Sequence, residues 1–203
     1  MKICKLLLAT VGASVLLGAL VSGASARNWS VSNQNLSAMW RSLEFALPGA
    51  TTRCQLTVEG SLHTRTLPKI VGSLIGYITK VILGPCTAGT ASVLAETLPW
   101  HVRYSAFSGS LPEITSIIIH VVNASFRMRE AGGISCLVRT SAAEPSVGTF
   151  HRNTANAAIT EVGVSGEIRT GAECFGVRGR FTSDSGAVSL LGTSNVLISL
   201  SLI

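Results

Sequence analysis

Aspartate occurs once in this chain of 203 residues, at Asp184, and charged residues of all kinds make up only 13%. That scarcity leaves little for acid–base chemistry. A Ser-His-Asp set such as Ser185, His151 and Asp184 exists on paper, but Asp184-Ser185-Gly186 reads as ordinary hairpin-turn chemistry, and no G-x-S-x-G elbow is present. The glutamates are dispersed, so paired carboxylates for glycoside cleavage are not signalled. The four histidines, His63, His101, His120 and His151, are far apart, without H-E-x-x-H or H-x-H, and no C-x-x-C suggests zinc. Of the four, His120 alone, set in an Ile/Val run, is expected to be buried. No three basic residues are consecutive, which argues against nucleic acid. Aromatics at 5% are too few for the two girdles of a membrane barrel. No residue is therefore assigned a catalytic or metal-binding role, and no cofactor is expected.

What is present begins with an export signal. Lys2 and Lys5 precede an apolar run from Leu6 to Val21, and Ala24-Ser25-Ala26 offers the small residues a signal peptidase requires, so residues 1–26 are expected to be cleaved. The run is about 16 residues, short of the roughly 20 that span a bilayer. Residues 27–203 are then one domain, expected to be secreted or held in the cell envelope with no membrane span. Without Lys2 and Lys5 the excess of basic over acidic residues falls from six to about four, carried mostly by arginine. Four cysteines remain, Cys54, Cys86, Cys136 and Cys174, an even count suited to an oxidising compartment. Three pairings are possible. Cys54–Cys86 and Cys136–Cys174 are favoured because each brackets a similar length of chain and opens with a strand-like segment. Loops of about 33 and 39 residues would each contribute about 3–4 kcal/mol.

The dominant hydrophobic period is two. Leu56, Val58, Gly60 and Leu62 alternate with polar neighbours, as do Ala124, Phe126 and Met128, and Val196, Ile198, Leu200 and Leu202. Leu-Pro steps at Leu47-Pro48, Leu67-Pro68, Leu98-Pro99 and Leu111-Pro112 mark strand limits. About ten strands result, the pattern of an all-β antiparallel sandwich of Greek-key or jelly-roll type. Ile117 to Val122, apolar on both faces except at His120, reads as a central strand. Ile70, Val71, Leu74, Ile75 and Ile78 follow a spacing of three to four after Pro68, which predicts one short helix near residues 68–75, with strand resuming at Gly76. Residues 141–156 read as the longest loop.

Three features carry functional expectations. Trp100, His101 and Arg103 could form a binding patch, although alternation places Val102 and Tyr104 on one face and His101 and Arg103 on the other. Arg178 and Arg180 share a face and, with Arg169 on a neighbouring strand, could hold an anionic envelope polymer. The charge-free terminal strand could complete the domain's own sheet or self-associate by adding to a neighbour's edge.

The segments Gly60-Ser61-Leu62-His63-Thr64-Arg65-Thr66, Leu74-Ile75-Gly76-Tyr77-Ile78-Thr79, Cys86-Thr87-Ala88-Gly89 and Thr97-Leu98-Pro99-Trp100-His101 resemble uncharacterised secreted proteins of high-GC Gram-positive bacteria. So do Leu111-Pro112-Glu113-Ile114-Thr115, Cys136-Leu137-Val138-Arg139-Thr140 and the Ile198 to Ile203 ending. The resemblance implies export and an all-β fold and carries no catalytic residue. The layout of Cys followed by Leu-Pro-Trp is similar to secreted proteins described as activators of alkane oxidation. The leading expectation is an exported, non-enzymatic binding or structural module. The alternatives are a hydrolase of envelope polymers, which needs two or three of His101, Arg103, His120, His151 and Asp184 to converge, and a small outer-membrane β-barrel.

Overall fold

The computed structural model describes residues 28–47, 50–129, 133, 135–170, 178–183, 186–192 and 198–203. The strands among them are, in chain order, β1 (Asn28–Val31), β2 (Asn35–Leu47), β3 (Ala50–Leu62), β4 (Thr66–Pro68), β5 (Leu74–Cys86), β6 (Thr90–Val93), β7 (Trp100–Ser110) and β8 (Glu113–Val122). They continue with β9 (Ser125–Arg129), β10 (Ser135–Arg139), β11 (Ser146–Arg152), β12 (Ile159–Thr170), β13 (Arg178–Ser183), β14 (Ala187–Leu190) and β15 (Leu200–Leu202). The helical content among the described residues is one 3-10 turn, Ala95–Thr97. All strand pairings are antiparallel.

The all-β, antiparallel, two-layered reading holds, and the layers are opposite halves of one sheet that closes on itself. Starting from β2, neighbours run β3, β5, β7, β8, β11, β12 and β13, and β13 returns to β2. Order round this ring follows chain order, so the path is up-and-down and the expected Greek-key or jelly-roll crossings are replaced by a meander. Each Leu-Pro step falls at a strand limit: β2 ends at Leu47, β4 at Pro68, β7 begins after Pro99, and Leu111-Pro112 turns β7 into β8. A chain that turns straight back pairs with itself before it can cross over.

Alternation explains which side chains enter the ring. Trp40, Phe45, Leu56, Val102, Tyr104, Ile117, Ile119, Val162, Phe181 and Val188 are buried in one continuous core. Both ends are covered. At the end where β3 finishes and β5 and β12 begin, β15, β1 and β4 form a separate three-stranded sheet that turns Trp29, Val31, Leu67 and Leu200 inward. At the other end β10, β9 and β6 continue from β12 as a wing, and Phe126 of the wing meets Trp100 and Phe45 edge-on, with ring centres 5.2 and 5.5 Å apart. Trp40 Nε1 donates to the Val162 carbonyl at 2.9 Å, tying β2 to β12. Gly186 makes room for that indole, since a Cβ there would lie 2.6 Å from Trp40 Nε1.

Cys54 and Cys86 face each other across β3 and β5 and are bonded. Cys136 is buried on β10, while Cys174 and residues 1–26 lie outside the described residues. The terminal strand completes the domain's own sheet, with Leu200 and Leu202 opposite Val31 and Trp29.

Three local expectations are corrected. Residues 68–75 form no helix: β4 ends at Pro68, a turn follows, and β5 starts at Leu74. Gly72 has a φ of +80°, a left-handed value that ends a helix, and Ile70 and Val71 are 65% and 74% exposed, so the apolar spacing did not mark a buried face. Residues 141–156 contain β11, because the alternation of Val147, Thr149 and His151 with Gly148 and Phe150 suits a strand held between β8 and β12. His120 is half-buried, since β8 turns Ile119 and Val121 into the ring and His120 away from it.

Candidate functional site

The fold gathers arginines that are scattered in sequence. On the wing, Phe126 and Met128 of β9 and Cys136 and Val138 of β10 point into the core, so Arg127, Arg129 and Arg139 are left on the outer face, all exposed. Pairing extends that face. Arg139 lies opposite Arg169 of β12, and Arg169 lies opposite Arg178 of β13. Residues opposed across antiparallel strands share a side of the sheet, about 5 Å apart. Arg139, Arg169 and Arg178 thus occupy opposed register positions on three adjacent strands, with Arg127 and Arg129 one strand further out. The strand pair β12–β13 next places Glu167 opposite Arg180, both exposed.

Two other basic residues are paired elsewhere on the sheet. Glu44 of β2 binds Arg53 of β3 at 2.6 Å, and Glu59 holds Lys80 at 3.1 Å. Arginine suits an anionic partner because its planar fork grips carboxylate or phosphate with two parallel hydrogen bonds. An open groove of about 510 Å³ between residues 144–147 and strands β12 and β13 runs beside Arg180.

The second sequence candidate is split by the sheet. Trp100 is 2% exposed and belongs to the core, where its Nε1 donates to Thr97 Oγ1 at 2.9 Å. His101 and Arg103 take the outer face, as alternation requires. Arg103 lies opposite His120 and donates from a terminal guanidinium nitrogen to the Gly72 carbonyl at 3.0 Å, which anchors the turn before β5. Tyr77 stands between His63 and His101, its ring centre 4.9 and 5.4 Å from theirs. Among the described residues no imidazole of this group hydrogen-bonds to a carboxylate, and no three His, Cys, Asp or Glu side chains cluster as a metal would require. His151 is on β11, opposite Ser116 and Glu161, while Asp184 and Ser185 lie outside the described residues.

The structure thus brings Arg169, Arg178 and Arg180 together and adds Arg127, Arg129 and Arg139, which the sequence reading left out. It leaves His101 and Arg103 on β7, three strands from β12 one way round the ring and four from β13 the other. The only sequence signal for the added three was their alternation with Phe126, Met128 and Val138. No family model, no curated protein and no solved structure matches the chain.

Proposed function

We propose that this chain is an exported, non-enzymatic module that binds an anionic polymer of the cell envelope or its surroundings on the outer face of β9, β10, β12 and β13. The observation that carries the reading is the exposed trio Arg127, Arg129 and Arg139 on the outer face of β9 and β10, with Arg169 and Arg178 at the opposed register positions of β12 and β13 and the exposed Arg180 two residues beyond. A linear polyanion meets such a surface at several points at once. A further feature suits a binder outside the cytoplasm: a disulfide between two neighbouring strands.

The strands of the ring and wing argue for a water-facing surface. Their inward positions are apolar and their outward positions include Arg127, Arg139, Arg180, Glu59 and Lys80, the reverse of a barrel that faces lipid. In this reading the module lies against its polymer and does not span a bilayer.

The test is binding of the purified protein to polygalacturonate and to a polyglycerol-phosphate polymer, with duplex DNA for comparison. Binding of one or both acidic polymers should weaken about a hundred-fold between 50 and 200 mM salt if about four charges are engaged. The Arg127→Gln, Arg129→Gln, Arg139→Gln triple variant should reduce affinity at low salt at least ten-fold with the fold unchanged. Equal binding by wild type and variant, or tighter binding to DNA than to either polymer, overturns the proposal.

A further inference from the structure

The core is not completely filled. Inside the ring lies a cavity of about 130 Å³ whose walls are almost wholly apolar, among them Ala38, Val58, Ile119, Phe150 and Val164. Closed rings of eight strands have interiors just wide enough either to be packed by side chains or to hold one small ligand. Apolar cavities of this size stay dry and accept molecules as large as benzene.

Few polar groups interrupt the apolar lining: the indoles of Trp29 and Trp40, the phenols of Tyr77 and Tyr104, and Ser61. Trp29, 1% exposed on β1, forms part of the wall, and among the described residues its buried indole Nε1 makes no hydrogen bond of ordinary length and angle, with the Tyr104 phenol beside it as a weak partner. The other two buried indoles are satisfied, Trp40 by the Val162 carbonyl and Trp100 by Thr97. Burying a donor unpaired is costly, so an orphan of this kind calls for a physical reason. The ring itself is well seated, edge-on to Phe107 at 5.8 Å and under the Lys69 ammonium at 5.4 Å, so packing accounts for a large aromatic here but not for its N–H.

We propose that the interior of the ring is a binding site for a small, uncharged, mainly apolar molecule bearing one hydrogen-bond acceptor, to which the Trp29 indole N–H donates. The cavity volume sets the size, near that of a substituted benzene. The lining excludes charge, since no counter-ion lies among the residues that form it. This site is independent of the arginine face, which lies on the outside of the sheet.

Acetophenone, and α-methylstyrene as the hydrocarbon of the same shape, distinguish a polar anchor from simple cavity filling. Titration of the full chain, followed by tryptophan fluorescence and by chemical shifts of core methyl groups, should show both probes entering. Trp29→Phe keeps an aromatic ring and removes the donor. It should weaken acetophenone about ten-fold, the loss of one hydrogen bond, and leave α-methylstyrene within about two-fold. Ala38→Leu fills the space and should abolish both, with Val164→Leu as the substitute if that chain does not fold. No uptake of either probe by the wild type, or an equal effect of Trp29→Phe on both, overturns the proposal.

Discussion

Tyr104 shows how one side chain in this core responds to pH. Burial pushes its phenol above the ordinary value of 10.0, with the neighbouring Trp29 indole acting in the opposite direction. The unfolded phenol ionises first, so the unfolded state binds fewer protons than the folded state once pH passes about 10. This contribution to stability is complete below pH 10 and is lost as pH rises toward the folded value. Tyr104→Phe should therefore show a shallower alkaline decline in urea midpoint between about pH 9 and 11 than the wild type. Parallel declines would show that other groups control it. The position of Tyr104 was readable from alternation, which put Val102 and Tyr104 inside and His101 and Arg103 outside. Trp100 follows the same parity, so its place in the core was legible too. Arg152 was not: it donates to the carbonyls of Leu200 and Ile114, at 2.9 and 3.2 Å, and nothing near it in sequence announces partners so distant along the chain.

At the scale of elements, the disulfide joins strands that are already paired. Cys54 and Cys86 are separated by 32 positions, and the chain-entropy argument gives about 3–4 kcal/mol for a loop of that length. Replacing both cysteines by alanine should lower unfolding free energy by about that amount, measured in urea, with β3 and β5 still paired at low denaturant. A loss below about 1 kcal/mol would mean that the unfolded chain already holds these strands together. The Leu-Pro steps located strand limits correctly because proline cannot donate to a ladder. The helix near residues 68–75 failed because periodicity alone cannot tell a buried face from an exposed turn, and Gly72 settles the matter through its backbone angle. β11 was hidden by Glu144-Pro145-Ser146 just ahead of it, which coloured the whole segment as loop. The arginine row was half legible. Alternation marks each residue as outward, but the register that sets Arg139 beside Arg169 is fixed by long-range pairing, which no local pattern records.

For the whole molecule, closure of the ring depends on covers at both ends. The cover formed by β15, β1 and β4 relies on the last six residues, of which Ile198 and Leu200 are 1% and 4% exposed. Deleting residues 198–203 should cost about 3–6 kcal/mol from these two side chains alone, a large part of the stability of an ordinary domain. The truncated protein should unfold at much lower urea and bind a hydrophobic dye that the intact protein does not. An unchanged midpoint would show that the ring stands without its cover. All-β character and antiparallel pairing were legible from the period of two, whereas closure was not, because the pairing of β11 with β12 and of β13 with β2 is a property of curvature and twist accumulated over eight strands.

Asn28 and Ile203 exchange backbone hydrogen bonds at 3.3 and 3.2 Å. The first described strand is thus zipped to the last, so β1 keeps one flank bare until a segment about 170 positions away along the chain folds back onto it. Native packing at that end is then an all-at-once event, and proteolytic loss of a few residues from that distant segment would leave the same flank open.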